Sequence, residues 1–332
     1  MPHSSLLEMT AAGLHCPEGG FHIDPWEPVA RAVITHAHAD HARAGCGGYL
    51  ATPACAALMR ARLGSGTRVE EIAYGRAVTL NGVRVSLHPA GHILGSAQVC
   101  VARDGERWAV TGDFKRESDP TCAPFEPLQA HTLVTECTFG LPVFAWPDPA
   151  EVVADITRWW QRNRADGRCS VLFAYSLGKA QRVLAHLEPL GPIFTHGAVE
   201  SMTAVYRRLG VRLPATQPVS EAGRREDYAG ALVVAPPLAE GTPWMRRFPN
   251  PSRAFVSGWM RIRGNRRRRG LDRGFVLSDH ADWPGILATV RDSGAERVWT
   301  THGYTLETAR FLNESGTPAE PVRSAFSGDS ED

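Results

Sequence analysis

The sequence has no run of roughly 18 apolar residues, and we therefore expect no membrane-spanning helix. Its N-terminal stretch lacks a basic segment followed by an apolar core, so we expect no secretion signal and a cytoplasmic location. The seven cysteines are scattered and form no Cys-x-x-Cys pair. This pattern predicts free thiols in a reducing compartment, and it disfavours both a disulfide framework and a cysteine-based zinc site.

Lysine is nearly missing, since Lys115 and Lys179 are the only lysines among 36 basic residues. The net charge of +1 conceals one dense basic segment, because residues 261–273 (RIRGNRRRRGLDR) contain seven arginines. Such a segment is either a solvated loop or a contact for a polyphosphate such as nucleic acid. The arginines that we consider as phosphate contacts are Arg261, Arg263, Arg266 and Arg267.

Six short apolar segments each end at a side chain that can bind a metal or carry a proton. Each segment is typical of a buried strand followed by a turn. Chance would scatter such side chains over helices and turns, so we expect one rim of a sheet assembly to carry a site. The six strand-end residues are His36, His92, Asp113, Glu136, His280 and His302.

The sequence pattern changes between residues 141 and 272. Apolar strands and amphipathic helices alternate there, which is typical of a small parallel α/β unit. The sequence therefore predicts an α/β protein in which one domain is inserted into another. We expect a first domain in two parts (1–140 and 273–325), an inserted domain (141–272) and a disordered tail (326–332).

The segment HAHADH, residues 36–41, contains three histidines and an aspartate directly after an apolar strand. Side chains two residues apart in an extended turn can face one ion, and the next pair can face a second ion beside it. Imidazole nitrogens and carboxylate oxygens are ligands of zinc and manganese. The sequence therefore predicts a metal site at His36, His38, Asp40 and His41, with His92, Asp113 and His302 as further ligands.

The motifs HAHADH, PAGHILGS and TGDF, in this order, resemble those of the metallo-β-lactamase superfamily, and FHIDPW places Asp24 at its first-motif aspartate. TECTFG, SDHADW and THGY are similar to the three added motifs of the β-CASP nucleases. SLGKAQRVL resembles a helix start in their cap domains. The resemblance covers nearly the whole chain and implies a metallo-β-lactamase αββα sandwich with an inserted β-CASP α/β cap domain.

Carried over residue by residue, the resemblance implies two divalent metal ions, zinc or manganese. The ligands of the first ion would be His36, His38 and His92. The ligands of the second ion would be Asp40, His41 and His302, with Asp113 between the two ions. Such a pair can activate water as hydroxide for in-line attack on a phosphodiester.

The resemblance also implies a proton donor for the leaving ribose oxygen, namely His280 with Glu136 hydrogen-bonded to it. Together with Asp40 and Asp113, these two residues are the predicted catalytic groups. A helix start at Ser176, Gly178 and Lys179 offers backbone N–H groups and an ammonium for a phosphate. Lys115 is a further candidate for a phosphate contact.

The short cap and the AGLHCPEGGFHIDPW stretch resemble the bacterial DNA ligase-associated exonucleases. This favours a DNA exonuclease of DNA repair, acting 5′ to 3′ with a preference for single strands. It also implies a functional association with a DNA ligase and a helicase, and DNA as a partner in preference to RNA.

Three alternatives stay open at this stage. His302 lies at a motif position where RNA-acting relatives typically have histidine and eukaryotic DNA-acting ones have valine, which indicates a ribonuclease or RNA 3′-end-processing endonuclease. A small-molecule metallo-hydrolase is disfavoured by the inserted domain, His280 and the arginine segment. A metal-free nucleic-acid-binding member is disfavoured by the complete set of ligands.

Overall fold

The computed structural model describes residues 5–219, 224–262, 264 and 270–323. The chain divides into two compact units, the first formed by Met1–Ala145 and His280–Asp332 and the second by Trp146–Asp279. Three sheets and the helices beside them make it a mixed α/β protein, as predicted. No helix within the described residues is both long and apolar enough to cross a membrane.

The unit boundaries differ from those expected at residues 140 and 273. Arg273–Phe275 is an edge strand that pairs in parallel with Ser252–Val256, so the second unit extends to residue 279. At the other crossing, the Trp283 N–H donates to the Phe144 carbonyl at 2.9 Å, which ties the segment before residue 146 to the first unit. The predicted tail, 326–332, lies outside the described residues.

The first unit contains two sheets. The six strands of the first sheet, in spatial order, are β1 (Glu8–Thr10), β2 (Gly13–Cys16), β3 (Phe21–Ile23), β4 (Ala32–Val33), β5 (Tyr49–Ala51) and β6 (Val69–Glu71). The second sheet has the strands β7 (Ala77–Leu80), β8 (Val83–Pro89), β9 (Ala97–Arg103), β10 (Glu106–Val110), β11 (Thr132–Cys137), β18 (Arg297–Gly303) and β19 (Ala319–Pro321). Its spatial order is β19-β18-β11-β10-β9-β8-β7.

The two sheets of the first unit share one apolar core. Val33 and Leu50 of the first sheet belong to the same cluster as Val85, Val99 and Trp108 of the second, and all five are at most 2% exposed. The alternation of apolar and polar residues along strands such as β8 puts one face of each sheet into this cluster. A core built between two sheets leaves the strand ends at its edge, where the connecting loops begin.

Helices cover the first unit where its sheets leave apolar surface. Helix α1 (Pro53–Leu63) begins at Thr52, whose hydroxyl accepts the Cys55 N–H. Helices α5 (Trp283–Ser293) and α6 (Thr305–Glu314) pack on β11 and β18 through one cluster. The residues that make this contact are Leu133, Val290, Val298 and Leu312.

The second unit is one sheet with helices. Its six strands are all parallel and, in spatial order, are β14 (Gln217–Pro218), β13 (Ile193–Thr195), β15 (Leu232–Ala235), β12 (Ser170–Phe173), β16 (Ser252–Val256) and β17 (Arg273–Phe275). The helices are α2 (Pro149–Ala165), α3 (Lys179–His186) and α4 (Gly197–Arg208). The α2 side chains Val152, Ile156 and Trp160 recur at helical spacing and are buried against this sheet.

We predict that Gly91→Ala destabilises the first unit by about 2 kcal/mol or more. Gly91 has φ +74°, and an added Cβ would lie 2.1 Å from the Lys115 carbonyl oxygen, which is backbone and cannot move aside. Urea denaturation followed by circular dichroism measures the change. The matched control is Gly48→Ala, whose Cβ meets nothing within 4 Å, and equal stability of the two variants would contradict the prediction.

Candidate metal centre

The strand directions in the first unit bring the predicted ligands to one edge. Strands β10, β11 and β18 are parallel, and β8 runs in the same direction because two antiparallel pairings separate it from β10. Their carboxyl ends therefore share one edge of the second sheet. His92 follows β8, Asp113 follows β10, and Glu136 and His302 lie in the last residues of β11 and β18. His36 follows β4 of the first sheet.

The loop that carries HAHADH is fixed by an arginine from helix α1. The Arg62 guanidinium donates to the carbonyl oxygens of Ala37 at 2.6 Å and Ala42 at 2.9 Å. Within the loop, the Ala42 N–H donates to the His38 carbonyl at 2.9 Å. Five fixed N–H donors make a guanidinium well suited to holding several carbonyls of one turn. These contacts set the backbone from which the ligand side chains project.

Three imidazoles converge on one carboxylate oxygen, Asp113 Oδ2. The Nε2 atoms of His36 and His41 each lie 3.4 Å from it, and Nε2 of His92 lies 3.7 Å from it. Asp113 itself is 5% exposed. Gly112 makes the approach close, since it has φ +54° and lies so near Thr35 that a Cβ would come within 2.6 Å of that side chain.

His38 completes a group of four donors on one side of Asp113. Its Nδ1 lies 3.0 Å from Nε2 of His36 and 3.2 Å from Nε2 of His92. One ligand atom from each of His36, His38, His92 and Asp113 lies within 4.8 Å of the others. Four such donors can hold one metal ion.

The other side of Asp113 faces His41. Nε2 of His41 lies 3.5 Å from Asp40 Oδ2, and the ring stacks on that of His302 with centroids 5.1 Å apart. Its Nδ1 lies 2.7 Å from Oδ2 of Asp24, a carboxylate that accepts the Nδ1 proton and so turns Nε2 toward Asp113. His302 has φ +53° and Asp24 has φ +44°, two left-handed residues that are both at the site.

The electrostatics of the centre favour the neutral form of His36 and the ionised form of Asp113, which are the forms that bind a metal, whereas they favour the charged form of His41. Burial lowers the pKa of His36 well below its usual value, and the neighbouring His41 lowers it further. Burial raises the pKa of Asp113, but His41, His280 and His36 together hold it well below the usual range. The pKa of His41 shifts upward, because the carboxylates of Asp113, Asp40 and Asp24 outweigh its burial.

The donor set fits divalent metal ions. Imidazole nitrogens that face one another at about 3 Å cannot all donate hydrogen bonds, whereas a shared cation satisfies their lone pairs together. Nε2 of His41 is buried and forms no well-aligned hydrogen bond to any described residue, although two carboxylates lie near it. The structure thus presents clusters that could hold divalent cations.

Glu136 and His280 form a buried pair next to these ligands. Nδ1 of His280 lies 2.9 Å from Glu136 Oε2 and 3.0 Å from Oε1, and its ring lies 4.6 Å from that of His92. The Phe114 N–H also donates to Glu136 Oε1 at 2.8 Å. Burial raises the pKa of Glu136, as does Asp113, while His280 opposes this shift. The carboxylate fixes the imidazole with its Nε2 edge turned away from Glu136.

The structure differs from the predicted phosphate contacts at both lysines. Lys179 is 1% exposed and forms a 2.8 Å ion pair with Asp279, and the Gly178 N–H donates to Gln181 Oε1 at 2.8 Å. Lys115 is 4% exposed and lies 2.9 Å from Glu117. Burial inside an ion pair withholds an ammonium from a phosphate at the surface, so neither lysine is placed as expected.

The remaining predicted contacts are at the surface or beyond the described part of the chain. Ser176 is half-buried, and its carbonyl accepts a hydrogen bond from Gln181. Arg261 is exposed at the end of the turn Gly258–Arg261. Arg263, Arg266 and Arg267 lie outside the described residues.

Two residues that position the ligands are not among the site residues predicted from the sequence. Arg62 lies in a helix, 20 and 25 positions after the two loop residues whose carbonyls it holds. Thr35 follows strand β4, and its hydroxyl lies 2.5 Å from Asp24 Oδ2 and 3.0 Å from Nδ1 of His36. Thr35 could have been inferred from its place directly before HAHADH, whereas Arg62 requires the fold.

Sequence comparison finds relatives that are named for nucleic-acid enzymes. A segment of 312 residues is 36% identical to a probable DNA ligase of Opitutus terrae and covers 92% of this chain but 30% of that protein. Cleavage and polyadenylation specificity factor subunit 3 of Dictyostelium discoideum is 30% identical over 36% of the chain and 16% of its own length. Endoribonuclease YSH1 of Saccharomyces cerevisiae is 26% identical over 34% of the chain and 19% of its length.

The chain therefore spans less than a third of the length of these curated relatives. No protein-family model matches it. Among solved structures, a protein of unknown function from Enterococcus faecalis V583 superimposes with a TM-score of 0.61 at 10% identity. That likeness covers 88% of this chain and 79% of the other, and it concerns the fold alone.

We predict that Asp24→Asn weakens Zn²⁺ or Mn²⁺ binding by about 10- to 100-fold, because the amide no longer fixes the tautomer of His41. Asparagine tolerates the left-handed backbone of residue 24 as aspartate does, so the change isolates the carboxylate. Competition with a chromophoric chelator measures the affinity. The matched control is Glu8→Gln, which removes the carboxylate beside His15, and equal affinities of the two variants would refute this role for Asp24.

Proposed function

We propose that this chain, which belongs to the β-CASP nucleases of the metallo-β-lactamase superfamily, uses two divalent metal ions to hydrolyse the phosphodiester bonds of DNA, starting from an end of the strand. The observation that carries the proposal is the convergence of His36, His41 and His92 on one oxygen of Asp113, beside the buried pair of Glu136 and His280. Metal ligands next to a candidate proton donor supply two elements of metal-assisted phosphodiester hydrolysis, namely activation of water and protonation of the leaving group.

The proposal assigns the two units to the two parts of the family's architecture. The first unit would be the metallo-β-lactamase sandwich, since its two sheets share a core and helices cover the second sheet. The second unit would be the β-CASP cap, inserted between Ala145 and His280. The motif residues Glu136 and His280 then lie on either side of the insertion in the chain and meet in the first unit.

The ligands divide into two groups about Asp113. The first ion would be held by His36, His38 and His92, and the second by Asp40, His41 and His302. When bound, two such ions supply Lewis acidity that activates water and neutralises charge on the phosphate in the transition state. Zinc and manganese both suit a set of imidazole nitrogens and carboxylate oxygens.

His280 is the proposed general acid. Water loses a proton to the solvent and supplies the hydroxide that attacks phosphorus, and the bond from phosphorus to the deoxyribose oxygen breaks. The proton on Nε2 of His280 passes to that oxygen, since Nδ1 is engaged by Glu136 at 2.9 Å. The Glu136 carboxylate favours the imidazolium form and holds the ring in place. As Glu136 does for His280, Asp24 orients His41 and Thr35 orients His36 by contact with Nδ1 of the ring.

DNA is the proposed substrate because the relative that aligns over 92% of this chain is named a probable DNA ligase. A nuclease that trims an end would leave a substrate suited to joining, so we place this activity in DNA repair with a ligase and a helicase as functional partners. The proposed direction is 5′ to 3′ on single strands. Arg261 and the arginines after it would contribute contacts to the phosphate backbone.

A second candidate is an RNA-processing endonuclease. It is favoured by His302, which the structure stacks on His41, and by the relatives that are named endoribonucleases. Those relatives align over about a third of this chain, whereas the relative named for DNA aligns over 92% of it. The longer alignment is the reason for preferring DNA.

We predict that the purified protein with Mn²⁺ or Zn²⁺ shortens single-stranded DNA stepwise from its 5′ end. The assay uses DNA and RNA of matched sequence, labelled at either end, with and without a 5′ phosphate. His280→Ala should lower the rate by about 10²- to 10⁴-fold, because the leaving oxygen loses its proton donor.

The control for the His280 variant is His131→Ala, which removes an exposed histidine directly before strand β11 and should leave the rate unchanged. Cutting of RNA with no cutting of DNA would replace the proposal by the second candidate. Cutting of neither, with metal bound, would reject a nuclease in favour of a small-molecule hydrolase.

A further inference from the structure

Helix α3 of the second unit carries two basic side chains that are buried completely. Lys179 and Arg182 are 1% and 2% exposed, and both project from the first turns of the helix at a spacing of three residues. Residues at this spacing lie on one face of a helix. Basic side chains are almost never buried to this degree unless a partner compensates their charge.

Both side chains hold the last two residues of the second unit. Nζ of Lys179 forms a 2.8 Å ion pair with Asp279 Oδ1, and both partners are at most 3% exposed. The Arg182 guanidinium donates to the Ser278 carbonyl at 3.1 Å. Helix α3 therefore fixes the backbone of Ser278 and the side chain of Asp279, which lie after strand β17.

The next two residues in the chain are held just as closely within the first unit. His280 lies 2.9 Å from Glu136, and the Ala281 N–H donates to the Phe114 carbonyl at 2.6 Å. A run of four residues, 278–281, is thus bound on both sides of the proposed general acid. The position of the His280 imidazole depends on the position of its own Cα, which the peptide bond joins to residue 279.

A buried ion pair is poor evidence for stability, because desolvation of two charges offsets their attraction. Replacing such a pair by apolar side chains is often neutral or stabilising. The Lys179–Asp279 pair lies directly before the proposed general acid, and the geometry that it imposes there explains it better than stability does. General acid catalysis needs such geometry, since a misplacement of about 1 Å can cost about a hundredfold in rate.

We propose that the buried Lys179–Asp279 pair, together with Arg182, positions His280 for proton transfer to the leaving oxygen. This inference rests on the proposed function, because it takes His280 as the general acid. Lys179 is a positioning residue in this account and has no contact with substrate. It gives the helix start at residues 176–179 a role in place of the phosphate site that the sequence suggested.

The test compares two phosphodiesters that differ in their need for an acid. Single-stranded DNA has a deoxyribose alkoxide as its leaving group, which must be protonated. Thymidine 5′-(p-nitrophenyl phosphate) releases a stable phenolate that needs no proton. The ratio of kcat/KM for the two substrates falls when general acid catalysis is lost, and it does not depend on the fraction of enzyme that is folded.

We expect His280→Ala to lower the ratio of DNA to activated diester hydrolysis by about 10²-fold or more. Lys179→Met and Asp279→Asn should lower the same ratio by about 10- to 100-fold, with the activated diester cleaved at close to the wild-type rate. The double variant Lys179→Met/Asp279→Leu removes both charges, so it should fold even where a single variant does not. It should show the same loss in the ratio.

The matched control is Arg207→Met, which removes the half-buried ion pair with Glu200 in the same unit and should leave the ratio unchanged. If His280→Ala lowers the ratio while the Lys179 and double variants keep the wild-type value, the positioning role is wrong and the general acid stands. If the wild-type enzyme cleaves neither substrate, the proposed function itself fails. Equal losses on both substrates for Lys179→Met would show a structural role only.

Discussion

The crowding of nitrogen and oxygen donors around Asp113 is the constraint on which the rest of the first unit depends. His36, His41 and His92 face one carboxylate oxygen at 3.4–3.7 Å in a place with almost no solvent exposure. Desolvating these groups costs free energy that ordinary hydrogen bonds among them cannot return, because several of the atoms are acceptors for one another. Divalent cations would supply the positive charge that such an arrangement lacks. The fold must therefore hold these side chains in place while offering little else to compensate them.

The scaffold does this with backbone features that have a cost of their own. Asp24 and His302 adopt left-handed conformations. Gly91 and Gly112 approach Lys115 and Thr35 of the same chain so closely that a Cβ would not fit. Strain of this kind is typical of functional sites, where surrounding structure determines the conformation. One carboxylate and one hydroxyl behind the ligands fix the ring orientations, Asp24 on His41 and Thr35 on His36. His280, the proposed general acid, is also held from two directions. Glu136 contacts its ring, and helix α3 contacts Ser278 and Asp279 before it.

The sequence predicted what depends on local pattern and order. The HAHADH turn, the apolar segments that end at His92 and Asp113, and the α/β alternation were all readable from short stretches of the chain, and the family resemblance is confirmed. What depends on distant partners was not readable. Lys179 is predicted as a phosphate ligand because its partner Asp279 lies 100 positions later in the chain, whereas Glu117, the partner of Lys115, lies only two positions away and could have been inferred. The return to the first unit was placed too early, since an edge strand is recognised only by the strand that it joins.

The most direct test of this account is anomalous X-ray diffraction from crystals of the wild-type protein loaded with Mn²⁺. Two peaks are expected on either side of Asp113. One should lie among His36, His38 and His92, and the other among Asp40, His41 and His302. A single peak, peaks elsewhere in the molecule, or no peak at full metal loading would contradict the claim that these seven side chains form one two-metal centre.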